Sequence, residues 1–282
     1  MKKFYTLAIA LFACYGATAQ SCLPEGITFS TQAQIDGFHG EFPYCNRIEG
    51  NVTIQGGRDI FNLLGLLQLT SIGGTLTIKG NDVLADLSGL DQLATIGGSL
   101  KIGGSRAGYG NPALASLNGL NSLDSIGGNL VVGYNHALHN LAGLEVLTFV
   151  RGSLTINNNG GLHDLSGLNM LTSIGGEADI RDNNALASFA GMENVTSIGG
   201  SLIIAGNNVL HNLSGLNQLA DIGGDLRIGD YYNSGNPTLT SLAGLNSLAS
   251  VGGSLVVALF PAVTSLKTLG ALEDRCCAEP SW

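Results

Sequence analysis

Apolar residues follow two spacings that alternate along the chain. In the stretch beginning at Ile72 they first occupy alternate positions, Leu76 and Ile78, and then every third position, Leu84, Leu87, Leu90 and Leu93. The two-residue period predicts a short strand with Leu76 and Ile78 inward and Thr75, Thr77 and Lys79 outward; Leu154 and Ile156 stand to Ser153, Thr155 and Asn157 in the same way. The three-residue period suits neither a long α-helix nor a strand, and predicts turns and short 3₁₀ pieces wound round an apolar interior. A second short strand is expected just before the glycine pair, as at Thr70-Ser71-Ile72.

The alternation is one unit of a repeat. Units start at Ile48, Ile72, Ile96, Ile126, Val150, Ile174, Ile198, Ile222 and Val251; seven of the nine are 24 residues long, and those at Ile96 and Ile222 run to 30 and 29. The third position is glycine in every unit, from Gly50 and Gly74 to Gly253. These glycines are expected to form a sharp corner, and Gly89 with its equivalents a second bend that a side chain would obstruct. One coil cannot bury its own apolar face, but stacked coils share one interior. Nine coils at a strand spacing of ~4.8 Å make a rod roughly 43 Å long.

One polar position keeps the same register: Asn81, Asn111, Asn135, Asn159, Asn183, Asn207 and Asn236. Turn preference alone would not require one residue type at one place so often. An inward amide can donate and accept for backbone groups that lack strand partners, and stacked amides can bond along the column. The ends depart from the unit, with Gly57 and Phe260 at the asparagine position, Thr268 at a bend glycine, and Pro261 nearby. Before the first unit, "STQAQIDGFHGEFPYC" predicts a short helix starting at Ser30 or Thr31, whose residues Gln32 to Phe38 cover the open end.

"CNRIEGNVTI", residues 45–54, followed by repeated "LxxIGGxLxI", resembles the receptor L-domain family. These domains are leucine-rich-repeat-like right-handed β-helices found in receptor ectodomains. The likeness spans residues 22–274, nearly all of the chain after its leader. It implies an all-β, right-handed solenoid of nine coils with short 3₁₀ or helical turns and a small helical N-terminal cap. It also implies a ligand-binding or adhesive ectodomain. The chain differs from the receptors in having no cysteine-rich module, transmembrane helix or kinase, so receptor signalling is not implied.

Residues 1–20 read as an export leader: Lys2 and Lys3, an apolar stretch from Phe4 to Ala13, and a small-residue cleavage region at Ala17-Thr18-Ala19. A lipoprotein box ending at Cys14 is a rival reading that the bulky Phe12 fits poorly. The layout is then a leader (1–20), a cap (21–47), the solenoid (48–274) and a tail (275–282). Loss of the two leader lysines takes the charge from −9 to −11, with no basic stripe for a phosphate backbone, so nucleic acid is not an expected partner. The apolar runs are too short to cross a bilayer. Cys22, Cys45, Cys276 and Cys277 lie at the two ends of the repeats, and export favours disulfides. Four cysteines allow three connectivities, of which pairing within each end is the simplest. Adjacent Cys276-Cys277 lacks zinc-ligand spacing.

Chemistry-bearing residues are sparse. Glu177, Asp179, Arg181 and Asp182, with Asp225 and Arg227 two coils on, form the nearest carboxylate cluster. Stacking separates Asp179 from Arg227 by roughly 10 Å, which suits solvated charges better than an acid–base pair. His139, His163 and His211 share a repeat position, with Asp164 beside them, but Ala187 interrupts the column. Neither a metal nor a cofactor is expected. A threonine ladder begun by Thr75 and Thr77 fails at Ser99 and Lys101.

The two longer units carry insertions at one place, Arg106-Ala107-Gly108-Tyr109-Gly110 and Asp230-Tyr231-Tyr232-Asn233-Ser234, with Tyr134 near the same edge. Insertions on one face of a solenoid are often its binding elements, and tyrosine offers contact area with a polar tip. Arg106, Tyr109, Tyr134, Tyr231 and Tyr232 are therefore the candidate binding residues. The expected function is non-enzymatic: an exported monomeric module presenting its flat sheet and tyrosine-bearing edge to a protein or glycan. A polysaccharide-cleaving enzyme and a ligand-free spacer are the competing classes.

Overall fold

The computed structural model describes residues 20–104, 108–229 and 235–258. The leader with Cys14, Arg106, Tyr231, Tyr232, Cys276, Cys277, Phe260, Pro261, Thr268 and the tail lie outside the described residues. The chain is a parallel β-solenoid of about nine coils. It is built from two ten-stranded sheets, with one α-helix and one 3₁₀ turn, Leu64–Leu66, among the described residues.

Strands of the two sheets alternate along the chain. The first rung is β1 (Gln20–Cys22) and β2 (Ile27–Phe29), followed by helix α1 (Gln32–Glu41) and the next rung, β3 (Cys45–Ile48) and β4 (Val52–Ile54). From there each coil adds a two-residue strand to a narrow sheet, such as Ser71–Ile72, and a three- or four-residue strand to a broad sheet, such as Leu76–Ile78. Register is kept from coil to coil, with Leu76 opposite Leu100 and Leu100 opposite Leu130. The leucines beyond the broad sheet run through successive turns, the Leu90 N–H donating to the Leu87 carbonyl and the Leu93 N–H to that of Leu90. Among the described residues only Leu64–Leu66 is regular enough to form a 3₁₀ turn.

The interior is one column of mostly Leu and Ile, fully buried from the first rungs to Leu248, with Val251 and Leu255 of the last described rung partly buried against it. Burying such a side chain stabilises by about 1.5–3 kcal/mol, whereas an exposed ion pair contributes under about 1 kcal/mol, so the apolar column sets the stability. In the coil starting at Ile174 the small Ala178 stands at a strand leucine position and the large Phe189 at a turn leucine position, both fully buried. The two departures oppose each other in volume, the kind of exchange a packed interior tolerates.

Two sets of glycines answer to two constraints. Gly89 has φ +117°, and a Cβ there would overlap the Leu63 carbonyl of the preceding coil, so both its own backbone and the stack demand glycine. Gly97, in the corner, has no positive φ, yet its Cβ would overlap the Gly73 carbonyl. The corner glycines, expected for turn sharpness, are needed because adjacent coils pack backbone to backbone there.

The N-terminal segment does more than cover the end. Ile27-Thr28-Phe29 alternates like a strand of the unit, and it pairs in register with Val52-Thr53-Ile54. Helix α1 occupies the place of a leucine turn in this rung. Thr31 is its N-cap, accepting from the Gln34 N–H, while the Gln34 side chain accepts from the Thr31 N–H. Ile35 and Phe38 are buried in the column, and the Gln32 side-chain Oε1 accepts from the Phe61 N–H. Cys22 and Cys45 form a disulfide pair with Cα atoms 5.6 Å apart.

Candidate functional site

The outer face of the broad sheet is where the repeat varies. In-register pairing sets Thr53, Thr77, Lys101, Val131, Thr155, Asp179, Ile203, Arg227 and Val256 in one row, one residue per coil. Their neighbours along each strand are the buried Leu and Ile, so the same alternation that fixes the core leaves this row free to differ.

At the first insertion the row is flanked by a hollow of about 570 Å³, lined by Thr77, Lys79, Lys101, Gly103, Gly104, Tyr109 and Val131. The volume lies within the ~300–1,000 Å³ of small-ligand sites. The insertion is folded back onto the sheet: the Gly80 N–H donates to the Tyr109 and Gly110 carbonyls at 3.2 and 3.0 Å. Gly104 makes this possible, because a Cβ there would overlap that of Tyr109. Tyr109 stays 51 % exposed, with the Lys79 Nζ 5.5 Å from its ring centroid. Among the described residues no carboxylate lines the hollow.

The candidate residues therefore separate. Tyr109 joins Lys79 and Lys101, whose positions in the repeat predict only that they face outward. Tyr134 lies against the same insertion through its backbone, at Gly110, but its half-buried ring stacks edge-on with His136 at 6.4 Å and does not line the hollow. Tyr134 adopts a left-handed φ of 60°.

The charge cluster resolves into pairs within strands. Arg181 pairs with Asp179, and Arg227 with Asp225 at 2.6 Å. Asp179 and Arg227 stand two strands apart with Ile203 between them. Asp225 is held below the ordinary aspartate value of 3.8, first by accepting from the Ser254 N–H and next by Arg227. The rings of His139 and His163 lie 5.6 Å apart. His139 Nδ1 is 2.6 Å from the Ala137 carbonyl oxygen, and Asp164 accepts from the Ser166 N–H at 3.0 Å, so both are engaged in local turns. Among the described residues no three His, Cys, Asp or Glu come together as a metal-binding group.

A second hollow, of about 270 Å³, crosses the narrow sheet over Ser71, Thr95 and Ser125 and is bounded by Arg47 at one end and Phe149 and Arg151 at the other. Among the described residues it too is lined by no carboxylate.

One polar column was missed by sequence reasoning. The residue after the glycine pair carries a side-chain oxygen in every unit, from Asn51, Thr75, Ser99, Asn129 and Ser153 to Ser254. At Asn51, Thr75, Ser99, Asn129, Ser153, Ser201 and Asp225 that oxygen accepts from the backbone N–H of the equivalent residue one coil on, Thr75 from Ser99 and Asn129 from Ser153 among them. The signal was the restriction to oxygen-bearing residues, hidden because five residue types satisfy it.

Comparison of the chain with protein-family models, curated proteins and solved structures finds no match.

Proposed function

We propose that this chain is an exported, non-enzymatic binding module that presents the broad sheet and its tyrosine-bearing edge to a protein or glycan. The Tyr109 hollow carries the reading: an open, half-exposed aromatic ring flanked by polar and cationic side chains on a glycine floor. An aromatic body with a few polar groups around it is the usual make-up of a recognition site. The carboxylates nearest to a catalytic arrangement are tied to arginines on their own strands, which supports binding over hydrolysis.

Export rests on the leader-like residues 1–20 and is supported by the Cys22–Cys45 pair. No helix among the described residues is long and apolar enough to cross a membrane. The likeness of "CNRIEGNVTI" to receptor L-domains supports an adhesive or ligand-binding ectodomain.

The test is a glycan and surface-protein array probed with the chain and with a Tyr109→Ala/Tyr231→Ala/Tyr232→Ala variant. Specific binding to a protein or glycan that drops at least tenfold in the variant is expected. Binding unchanged by the triple substitution refutes the edge site, and an array without any ligand refutes the binding module.

A further inference from the structure

Seven basic side chains occur among the described residues. Arg58, Arg181 and Arg227 pair with Asp82, Asp179 and Asp225. The other four, Lys79, Lys101, Arg47 and Arg151, form no ion pair among the described residues and line the hollows of about 570 and 270 Å³, two in each. In a chain of net charge −9, acidic partners abound, so cations gathered away from carboxylates mark places where an anion lowers the energy.

The two hollows are not equivalent. Arg47 and Arg151 sit four rungs apart on the narrow sheet, roughly 19 Å, too far to share one charged group. Lys101 is opposite Thr77, and Lys79 follows two residues along that neighbouring strand. Strand geometry then places their Cα atoms roughly 8 Å apart, so both ammonium groups can reach one hollow. Beside them stands the Tyr109 ring. Gly103 and Gly104 let a ligand approach the backbone, and the Thr77 hydroxyl can exchange a hydrogen bond with it.

We infer that the Tyr109 hollow binds an acidic sugar unit of a polysaccharide, its carboxylate held by Lys79 and Lys101 and its ring laid on Tyr109. This rests on the reading of the chain as a binding module and names the ligand class for that site. A sugar ring has C–H faces that stack on an aromatic and hydroxyls that suit Thr77 and exposed backbone groups. A uronate adds one charge per ring, which two lysines match. Duplex nucleic acid carries a charge every ~1.7 Å and calls for a long basic stripe, which a pair of lysines on an acidic chain does not supply.

The experiment is calorimetric titration of the full chain with oligogalacturonate, and with a neutral malto-oligosaccharide of equal length. Wild type is compared with Lys79→Gln/Lys101→Gln, Tyr109→Ala and Arg151→Gln, each checked for an unchanged thermal melt. The lysine and tyrosine changes lie on a solvent-facing surface, so folding should be retained. Oligogalacturonate should bind at least tenfold more tightly than the neutral chain. The lysine double variant should lose at least tenfold, Tyr109→Ala severalfold, and Arg151→Gln less than about twofold. Affinity should fall as salt is raised, and the lysine double variant should show a shallower salt dependence.

Equal affinity for the neutral chain overturns the inference, as does an Arg151→Gln loss matching that of the lysines, since that would be charge attraction without a site. A phosphorylated peptide that binds more tightly through the same lysines overturns the sugar assignment. If the array instead yields a neutral glycan or protein that needs Tyr109 but neither lysine, the acidic-sugar assignment falls while the binding module stands.

Discussion

The Asp225 carboxylate joins two duties that the rest of its column keeps apart. Like Ser99 or Asn129 it accepts from the backbone N–H of the next coil, that of Ser254, and it also holds Arg227. Both contacts favour the charged form, and both lower its pKa below 3.8. A folded-state pKa depressed below the unfolded value adds stability above the unfolded pKa, and that stability is lost as pH falls through the folded one. Asp225→Asn keeps an acceptor for Ser254, since asparagine serves at Asn51 and Asn129, but loses the charge. The variant should therefore melt below wild type at pH 7, and the two curves should converge as pH falls through the lowered folded-state pKa, below the ordinary aspartate value of 3.8. Thermal melts across pH 2–7 check this; a gap that stays constant to pH 2 would show that the charge contributes nothing.

At the scale of one element, the asparagine column is the clearest case of a polar group held inside an apolar rod. Asn159 Nδ2 donates to the Val132 carbonyl at 2.9 Å, and its Oδ1 accepts from the Asn135 N–H at 3.0 Å. The same two bonds recur at Asn111, Asn135 and Asn183, so each amide ties its own coil to the one before. Asn159→Ala strands buried partners and should cost about 1–3 kcal/mol in a denaturant melt. Asn157, two positions earlier on the outer face, has an Oδ1 without a hydrogen-bond partner among the described residues, and Asn157→Ala should change stability by under about 0.5 kcal/mol. Equal effects at the two positions would contradict the buried network. The constant register of the asparagines made this column legible beforehand. The second column, of Thr75, Ser99 and Asn129, escaped notice because its shared property is an oxygen atom rather than a residue.

For the molecule as a whole, coils depend on nearest neighbours, and an end rung has a neighbour on one side only. The N-terminal rung compensates through α1 packed on the first leucine turn and through the Cys22–Cys45 link across 23 residues of sequence. Closing a loop of that size removes unfolded-state entropy equivalent to about 3 kcal/mol. Cys22→Ser/Cys45→Ser should therefore loosen this end first. In hydrogen exchange, amides of Ile27 to Phe29 should lose protection ahead of those of Leu154 to Asn157. Uniform loss along the rod would mean that it opens as one unit and that the link has no local role.

The coil length, the inward Leu and Ile, the outward row and the asparagine column follow from periodicity by itself, because a stacked repeat leaves every coil the same few ways to bury its apolar residues. The capping box at Thr31 and Gln34 is equally local, and so readable. The approach of Lys79, Lys101 and Tyr109 is different. Lys79 and Lys101 belong to separate units, and Tyr109 reaches them only because its insertion folds back over Gly104 onto the sheet. No period encodes that fold-back. It depends on which backbone groups of an irregular loop find partners on the neighbouring coil, Gly80 above all, and that is settled only when the coils are stacked.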